Sequence, residues 1–367
     1  MNNVPSNLEN KINSLFDQAY ALLQEGNYDD AEYDFKQILK LDQNNPDALH
    51  LLGILNYQTG HMDESLKYLN KAITVKPSNA SYCNDIALVY DHIGMVGKAN
   101  KFFKKAIQLE PDNPAFLFNI GNLLLNTGNE KDAVVYYKKA IEINNENAFA
   151  YNNLGQALHR LHDVESAERA YREAIKINAN FASAHNNLGT LLQDRGDFNG
   201  AMDSYIEALR CDPDMVMACS NIAYLKKCNS PDDEIIYKLI NLFEKDGIDI
   251  EDEIVISFAL GKLYDDCSEY EKAFKNYERG NLLAGMDADF DKDFYIAVID
   301  TIKNSFDQNF FNSFGFNGNS SDKPVFIVGM PRSGTSLVEQ IISSHTMAAV
   351  GNPVLLHPGC PDALRHN

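Results

Sequence analysis

The chain has 367 residues, 45% of them hydrophobic, which is more length than one ordinary domain needs and enough apolar material for a packed interior. Its 52 acidic and 32 basic residues leave a formal net charge of -20, a field that repels phosphate backbones and argues against nucleic acid as a partner. Six cysteines (Cys83, Cys211, Cys219, Cys228, Cys267, Cys360) stand far apart with no C-x-x-C pair, so neither a disulfide framework nor a zinc site is expected, and reduced thiols in a cytoplasmic protein are the simplest reading.

The first residues, "MNNVPSNLENKINSLF", lack the basic start and apolar centre of a signal peptide. No apolar run approaches the about 20 residues that span a bilayer. No membrane association is expected.

From residue 12 to residue 215 the sequence repeats with a period of 34. Small residues recur as Ala19, Gly53, Ala87, Gly121, Gly155 and Gly189. A second small place runs Ala31, Ser65, Ala99, Ala133, Ala167, Ala201, and a third runs Ala72, Ala106, Ala140, Ala174, Ala208. Rings stand beside them at Phe35, Phe103, Tyr137, Tyr171 and Tyr205. This spacing resembles the tetratricopeptide repeat. The resemblance implies six pairs of antiparallel helices, each unable to bury its face alone, stacked into one superhelical core. Small residues let two helix backbones approach, and the rings fill the space beside them. Gly60, Gly94, Gly128 and Gly196 suit the turns between helices, and Pro77, Pro111 and Pro213 close the second helices.

The period slips after residue 215. A seventh unit begins at Val216, but the acidic "DDEIIYKLINLFEKDGIDIEDE" stands where its second helix should be. A further unit places Gly261, Ala273 and Tyr277 at the family spacing but out of register, and "DFYIAVIDTIKNSF" reads as a capping helix. Residues 216–314 are therefore expected to be degenerate repeats and caps. The Gly-, Asn- and Ser-rich "GFNGNSSDK", residues 315–323, reads as a linker.

In the first helices, the place before the "LG" pair holds Asp85 and then Asn119, Asn153, Asn187 and Asn221. Asparagine carries both a donor and an acceptor, so a row of amides on the concave wall could pair with the backbone of an extended peptide. The repeats resemble those of O-linked N-acetylglucosamine transferase, in which such a ladder grips polypeptide. The alternative is that these amides bond neighbouring helices. His159, His162 and His185 read as core or turn residues rather than metal ligands, and Asp29, Asp30, Asp265 and Asp266 as solvated helix ends.

Residues 324–345, "PVFIVGMPRSGTSLVEQIISSH", read as strand, glycine turn and helix. Backbone N–H groups at such a helix start attract phosphate. The spacing of Gly329 and Gly334 approaches that of a nucleoside-triphosphate loop, but Thr335 stands where the phosphate-binding lysine belongs, which counts against an NTPase. The "PRSGT" core is similar instead to the cofactor loop of sulfotransferases, most of all the protein-tyrosine type, some of which carry tetratricopeptide repeats ahead of the transferase domain. The resemblance implies binding of 3′-phosphoadenosine-5′-phosphosulfate (PAPS) by Arg332, Ser333, Gly334, Thr335 and Ser336, without a metal.

The family's pattern continues to a "GEE"-like segment that supplies the catalytic glutamate. Here Gly351 matches, but Asn352 and Pro353 follow, and neither can take a proton from an acceptor hydroxyl. Residues 346–367 show no helix or strand period and read as an atypical, disordered tail. A mostly α protein is expected: a tetratricopeptide superhelix (α-solenoid), then a truncated α/β P-loop sulfotransferase segment without a catalytic base. Two functions stay open. One is sulfuryl transfer from PAPS to a hydroxyl, tyrosine included, of a polypeptide held by the repeats. The other is a non-catalytic scaffold that binds extended peptides on its concave face.

Overall fold

The computed structural model describes residues 6–245, 247–286, 296–297 and 300–301. The described residues form sixteen α-helices and contain no strand. Two compact units divide the chain, Met1–Ala288 and Asp289–Asn367, and all sixteen helices lie in the first. In the second, only the helical residues 296–297 and 300–301 are described. The linker, the strand–loop–helix of 324–345 and the tail lie outside the described residues, as does most of the expected capping helix.

The first twelve helices are the six expected pairs: α1 (Ser6–Gln24) with α2 (Tyr28–Leu41), α3 (Pro46–Gln58) with α4 (Met62–Val75), and α5 (Ala80–His92) with α6 (Val96–Leu109). Then come α7 (Pro114–Asn126) with α8 (Glu130–Ile143), α9 (Ala148–Arg160) with α10 (Val164–Ile177), and α11 (Ala182–Asp194) with α12 (Phe198–Cys211). Local chemistry explains the boundaries. Asn45, Asn79, Asn113 and Asn147 cap α3, α5, α7 and α9, each side chain accepting a backbone N–H of the first turn. Pro46 and Pro114 occupy first-turn positions that need no donor.

Each pair turns on a residue with positive φ. Gly26, Gly60, Gly94, Gly128 and Gly196 lie at φ between 74° and 86°. The following N–H reaches back across the helix end, as from His61 to the Asn56 carbonyl at 2.7 Å. In the fifth pair this place belongs to His162, at φ 60°, a left-handed conformation that a side chain disfavours.

Inside each pair the ring sits where the other helix has no side chain. A Cβ on Gly121 would lie 2.7 Å from Tyr137, and Gly155 and Gly189 stand in the same relation to Tyr171 and Tyr205, at 2.6 Å each. In the second pair, Leu69 covers Gly53 in this way. Phe35, Phe103, Tyr137, Tyr171 and Tyr205 are all buried. Tyr137 places its hydroxyl 2.8 Å from the Asn122 carbonyl, and Tyr205 its own 2.9 Å from Gln193. One apolar cluster then runs without interruption from Leu69 to Leu263. Successive first helices lie closer together than successive second helices, so the first helices form the inner wall of the stack.

The acidic segment after residue 230 is not the loss of a second helix that its composition suggests. It forms α14 (Glu234–Phe243), short but helical, after α13 (Val216–Leu225). Ile235, Ile236, Leu239 and Leu242 give it a buried apolar side, and Asp233 caps its start. Glu234 and Glu244 are exposed outside that side and Asp233 pairs with Lys226, so these acids do not prevent the helix. The unit built on Gly261 follows as α15 (Ile250–Asp266) and α16 (Tyr270–Met286), and Tyr277 covers Gly261 at 2.6 Å, as in the regular pairs.

Two outcomes are expected. Gly155→Ala should lower stability by about 1–3 kcal/mol through overpacking against the Tyr171 ring, which chemical denaturation measures. His162→Gly should stabilise the chain by about 1 kcal/mol, because glycine takes the turn conformation without strain.

Candidate functional site

The inner wall carries a series of polar rungs, each joining a first helix to the first helix of the next pair. His50 in α3 meets Asp85 in α5 at 2.6 Å. Asn119 in α7 donates to Asn84 in α5 at 2.9 Å, Asn187 in α11 to Asn152 in α9 at 3.0 Å, and Asn221 in α13 to Asn186 in α11 at 2.9 Å. These three donors belong to the four-residue ladder read from the sequence, whose members, Asn153 included, are all half-buried. Their acceptors Asn84, Asn152 and Asn186 are buried.

The series has one irregular rung. The acceptor place in α7 is filled by Phe118, which has no group to offer, and Asn153 turns instead to the Asn122 carbonyl, 2.9 Å away. That carbonyl also receives the Tyr137 hydroxyl, so the rung is tied to the ring beneath it. Asn152 in turn donates to Asn153 at 3.0 Å, as Asn84 does to Asp85.

Fully exposed amides are therefore not what the ladder presents. Each of Asn119, Asn153, Asn187 and Asn221 uses one N–H inside the wall; for Asn119, Asn187 and Asn221 the buried acceptor beside it would otherwise be unpaired. An NH₂ group has two N–H bonds, so one donor remains on each, and the side-chain carbonyl oxygens of Asn119, Asn187 and Asn221 take no bond from described residues. The acceptor set at Asn84, Asn152 and Asn186 is the part that the sequence reading missed. Its signal was present, since these residues obey the same period of 34 one place earlier in each helix.

Further bonds join successive first helices near their C-terminal ends. His159 meets Asp194 at 2.9 Å, and Arg160 donates to the Leu125 carbonyl at 2.9 Å. His185 bonds the Ala179 carbonyl and His162 sits at its turn, so the three histidines do not converge. Exposed side chains line the starts of α3, α5, α9, α11 and α13: Asp47, Ser81, Phe149, Ser183 and Met217. Phe149 meets Phe181 edge-on, with centroids 4.8 Å apart. A shallow cavity of about 350 Å³ lies between α10, α11 and α12, but its cations Arg172 and Lys176 are already paired with Glu168 and Glu173. Burial raises the phenols of Tyr137 and Tyr171 well above the ordinary value, so both rings stay neutral.

The loop residues Arg332, Ser333, Gly334, Thr335 and Ser336, and Asn352 and Pro353 after them, lie outside the described residues.

Comparison with known proteins agrees with this architecture. Tetratricopeptide repeat families match residues 22–83, 80–113, 102–134, 148–181 and 181–211, and a TPR repeat family matches 127–161. The Sulfotransferase family matches residues 324–367. An uncharacterized protein of Aquifex aeolicus (strain VF5) is 30% identical over 115 residues, 31% of this chain and 15% of its own length. Among solved structures, pilF of Pseudomonas aeruginosa superposes with a TM-score of 0.52 at 17% identity, covering 58% of this chain and 97% of that one. The hetero-tetramer Cut9–Hcn1 of the APC/C gives 0.52 at 16% identity, over 58% and 42% of the two chains. These likenesses and the sixteen helices define the class: the described chain is a tetratricopeptide-repeat α-solenoid. Beyond it, the same polypeptide continues into a segment similar to sulfotransferases. Among the described residues no helix is long and apolar enough to cross a membrane.

The rungs make a stability prediction. Asn187→Ala should cost about 1–3 kcal/mol, because the buried Asn152 carbonyl then lacks its donor. Asn187→Asp should be no milder, since it sets a carboxylate against that carbonyl. Denaturant unfolding of both variants checks this.

Proposed function

We propose that the inner wall holds an extended polypeptide and that the segment from residue 324 onward is built to take PAPS, in the manner of a sulfotransferase that modifies a hydroxyl of the held chain, tyrosine included. The observation that carries this reading is the match of residues 324–367 to the Sulfotransferase family, downstream of a repeat array in the same polypeptide. The donor set suits the anion: Arg332 supplies a cation, Gly334 a backbone N–H without steric cover, and Ser333, Thr335 and Ser336 hydroxyls. These groups address the 5′ phosphosulfate end. PAPS, when bound, supplies an activated sulfuryl group with a phosphate as leaving group. Arg332 would then offset the charge left on that phosphate.

On the wall, the remaining N–H of Asn119, Asn153, Asn187 and Asn221, and the open carbonyls of three of them, are the groups that would meet a peptide backbone. They are already fixed by their rungs, so little side-chain entropy is lost on binding.

A second reading rests on a different observation. Asn352 and Pro353 occupy the places where the sulfotransferase pattern has acids, and neither accepts a proton from a hydroxyl. In that reading the array is a peptide-binding scaffold and the segment from residue 324 transfers nothing.

Calorimetric titration of this polypeptide with 3′-phosphoadenosine-5′-phosphate, beside an assay for sulfated product, separates the two. The first reading expects binding and sulfated product, and the second expects no product. Arg332→Ala should weaken the binding by about tenfold or more. Product formation that Arg332→Ala abolishes would refute the missing base, and binding unchanged by Arg332→Ala would refute the cofactor site.

A further inference from the structure

Two of the five described cysteines meet. Cys228 lies in the segment between α13 and α14, Cys267 at the C-terminal end of α15, and their sulfurs are 3.3 Å apart, although the residues are separated by 39 positions in sequence. The contact belongs to a built joint. The Cys228 backbone N–H donates to Asp266 at 2.9 Å. Lys262 on α15 reaches both the Lys226 carbonyl and Asp266. Lys226 pairs in turn with Asp233 at the start of α14, at 2.8 Å. Both backbones beside the sulfurs are thus held by bonds that do not involve sulfur.

We propose that Cys228 and Cys267 are a disulfide-forming site that reacts with a low-molecular-weight disulfide and clips the irregular seventh pair onto α15. The remaining displacement is small, from 3.3 Å to the about 2.0 Å of a bonded pair, which is within reach of side-chain rotation. The two thiols differ in access: Cys228 is fully buried and Cys267 is half-exposed. That difference orders the chemistry. The Cys267 thiolate attacks one sulfur of the small disulfide, giving a mixed disulfide and releasing one small thiol. Cys228 then loses its proton and attacks the Cys267 sulfur, releasing the second small thiol. Two protein thiols are oxidised, the small disulfide is reduced, and no further oxidant is needed.

Burial, the neighbouring Cys228 thiol and the carboxylates of Asp266 and Asp233 push the Cys267 thiol up to about 11. Little thiolate is present near neutral pH, so the exchange is slow and favours a standing excess of oxidant. Nothing comparable surrounds the other described cysteines. Cys83 and Cys219 are buried, and Cys211 directs its thiol to the Ala179 carbonyl at 3.6 Å.

The location gives the bond a consequence. α13 to α15 is where the regular stacking is interrupted, and a bond from Cys228 to Cys267 closes a loop that contains α14 and α15. Constraining that loop in the unfolded chain stabilises the end of the array and leaves the six regular pairs untouched.

The test uses the full chain with Cys211→Ser and Cys360→Ser, which removes the partly exposed Cys211 and the one cysteine outside the described residues. Incubation with excess oxidised glutathione, then peptide mapping without reductant, should find Cys228 linked to Cys267 and two fewer free thiols. The melting temperature should rise by about 5 °C or more and return to its starting value with dithiothreitol. Cys267→Ser, at a half-exposed site, should fold normally and show neither effect. Glutathione left attached to Cys267 with Cys228 still free would overturn the proposal. An equal rise in melting temperature in Cys267→Ser would do the same. Mapping needs no variant at the buried Cys228, so misfolding of such a variant cannot obscure the result.

Discussion

The protein depends on one close contact, repeated: a helix with no side chain at one place receives a ring or a leucine from the helix that pairs with it. Gly53 with Leu69, Gly121 with Tyr137, Gly155 with Tyr171 and Gly189 with Tyr205 all leave less than 3 Å for a Cβ. That distance sets how closely the two helices of a pair approach. Where alanine replaces glycine, at Ala19 and Ala87, the partner is Phe35 or Phe103, and both alanines are still buried. Apart from Gly53 with Leu69, glycine goes with tyrosine and alanine with phenylalanine. The hydroxyls of Tyr137 and Tyr205 carry the contact onward to Asn122 and Gln193 in the first helices. Packing inside a pair is thereby coupled to the polar wall that the pairs share.

The wall solves a problem that stacking creates. Bringing successive first helices together buries polar side chains, and a buried amide without a partner costs more than a bonded one returns. The asparagines answer one another across the gap: a buried amide in one helix offers its carbonyl to a half-buried amide in the next. Where Phe118 breaks the pattern, Asn153 finds Asn122 one turn further along. Amides and a His50–Asp85 contact do this with little formal charge, in a chain whose overall charge is -20. A wall of neutral donors and acceptors, already held in place, suits a peptide backbone better than a charged ligand.

Regularity ends between residues 226 and 249, and a different kind of tie takes over. Lys226 with Asp233, Lys262 with the Lys226 carbonyl, the Cys228 N–H with Asp266 and the two sulfurs hold α13, α14 and α15 together where the period fails. The contacts are specific rather than repeated. They allow α15 and α16 to resume the glycine–tyrosine packing out of register, through Gly261 and Tyr277.

The sequence by itself determined the number of regular pairs, the turn glycines, the buried rings and the row of asparagines. All of these arise from contacts within one repeat or from a fixed offset between identical repeats, and such contacts leave a period in the chain. The amides' partners were decided only by the tertiary structure. Whether Asn187 offers its donor to solvent or to Asn152 depends on the distance between two first helices, which no single repeat encodes. The same holds for α14, whose acidic composition hides an apolar side that matters only once α13 and α15 are there to cover it. Cys228 and Cys267 are the extreme case. They follow no period, and nothing in their spacing suggests a pair; the slip in register between the seventh and eighth units is what brings the two sulfurs together.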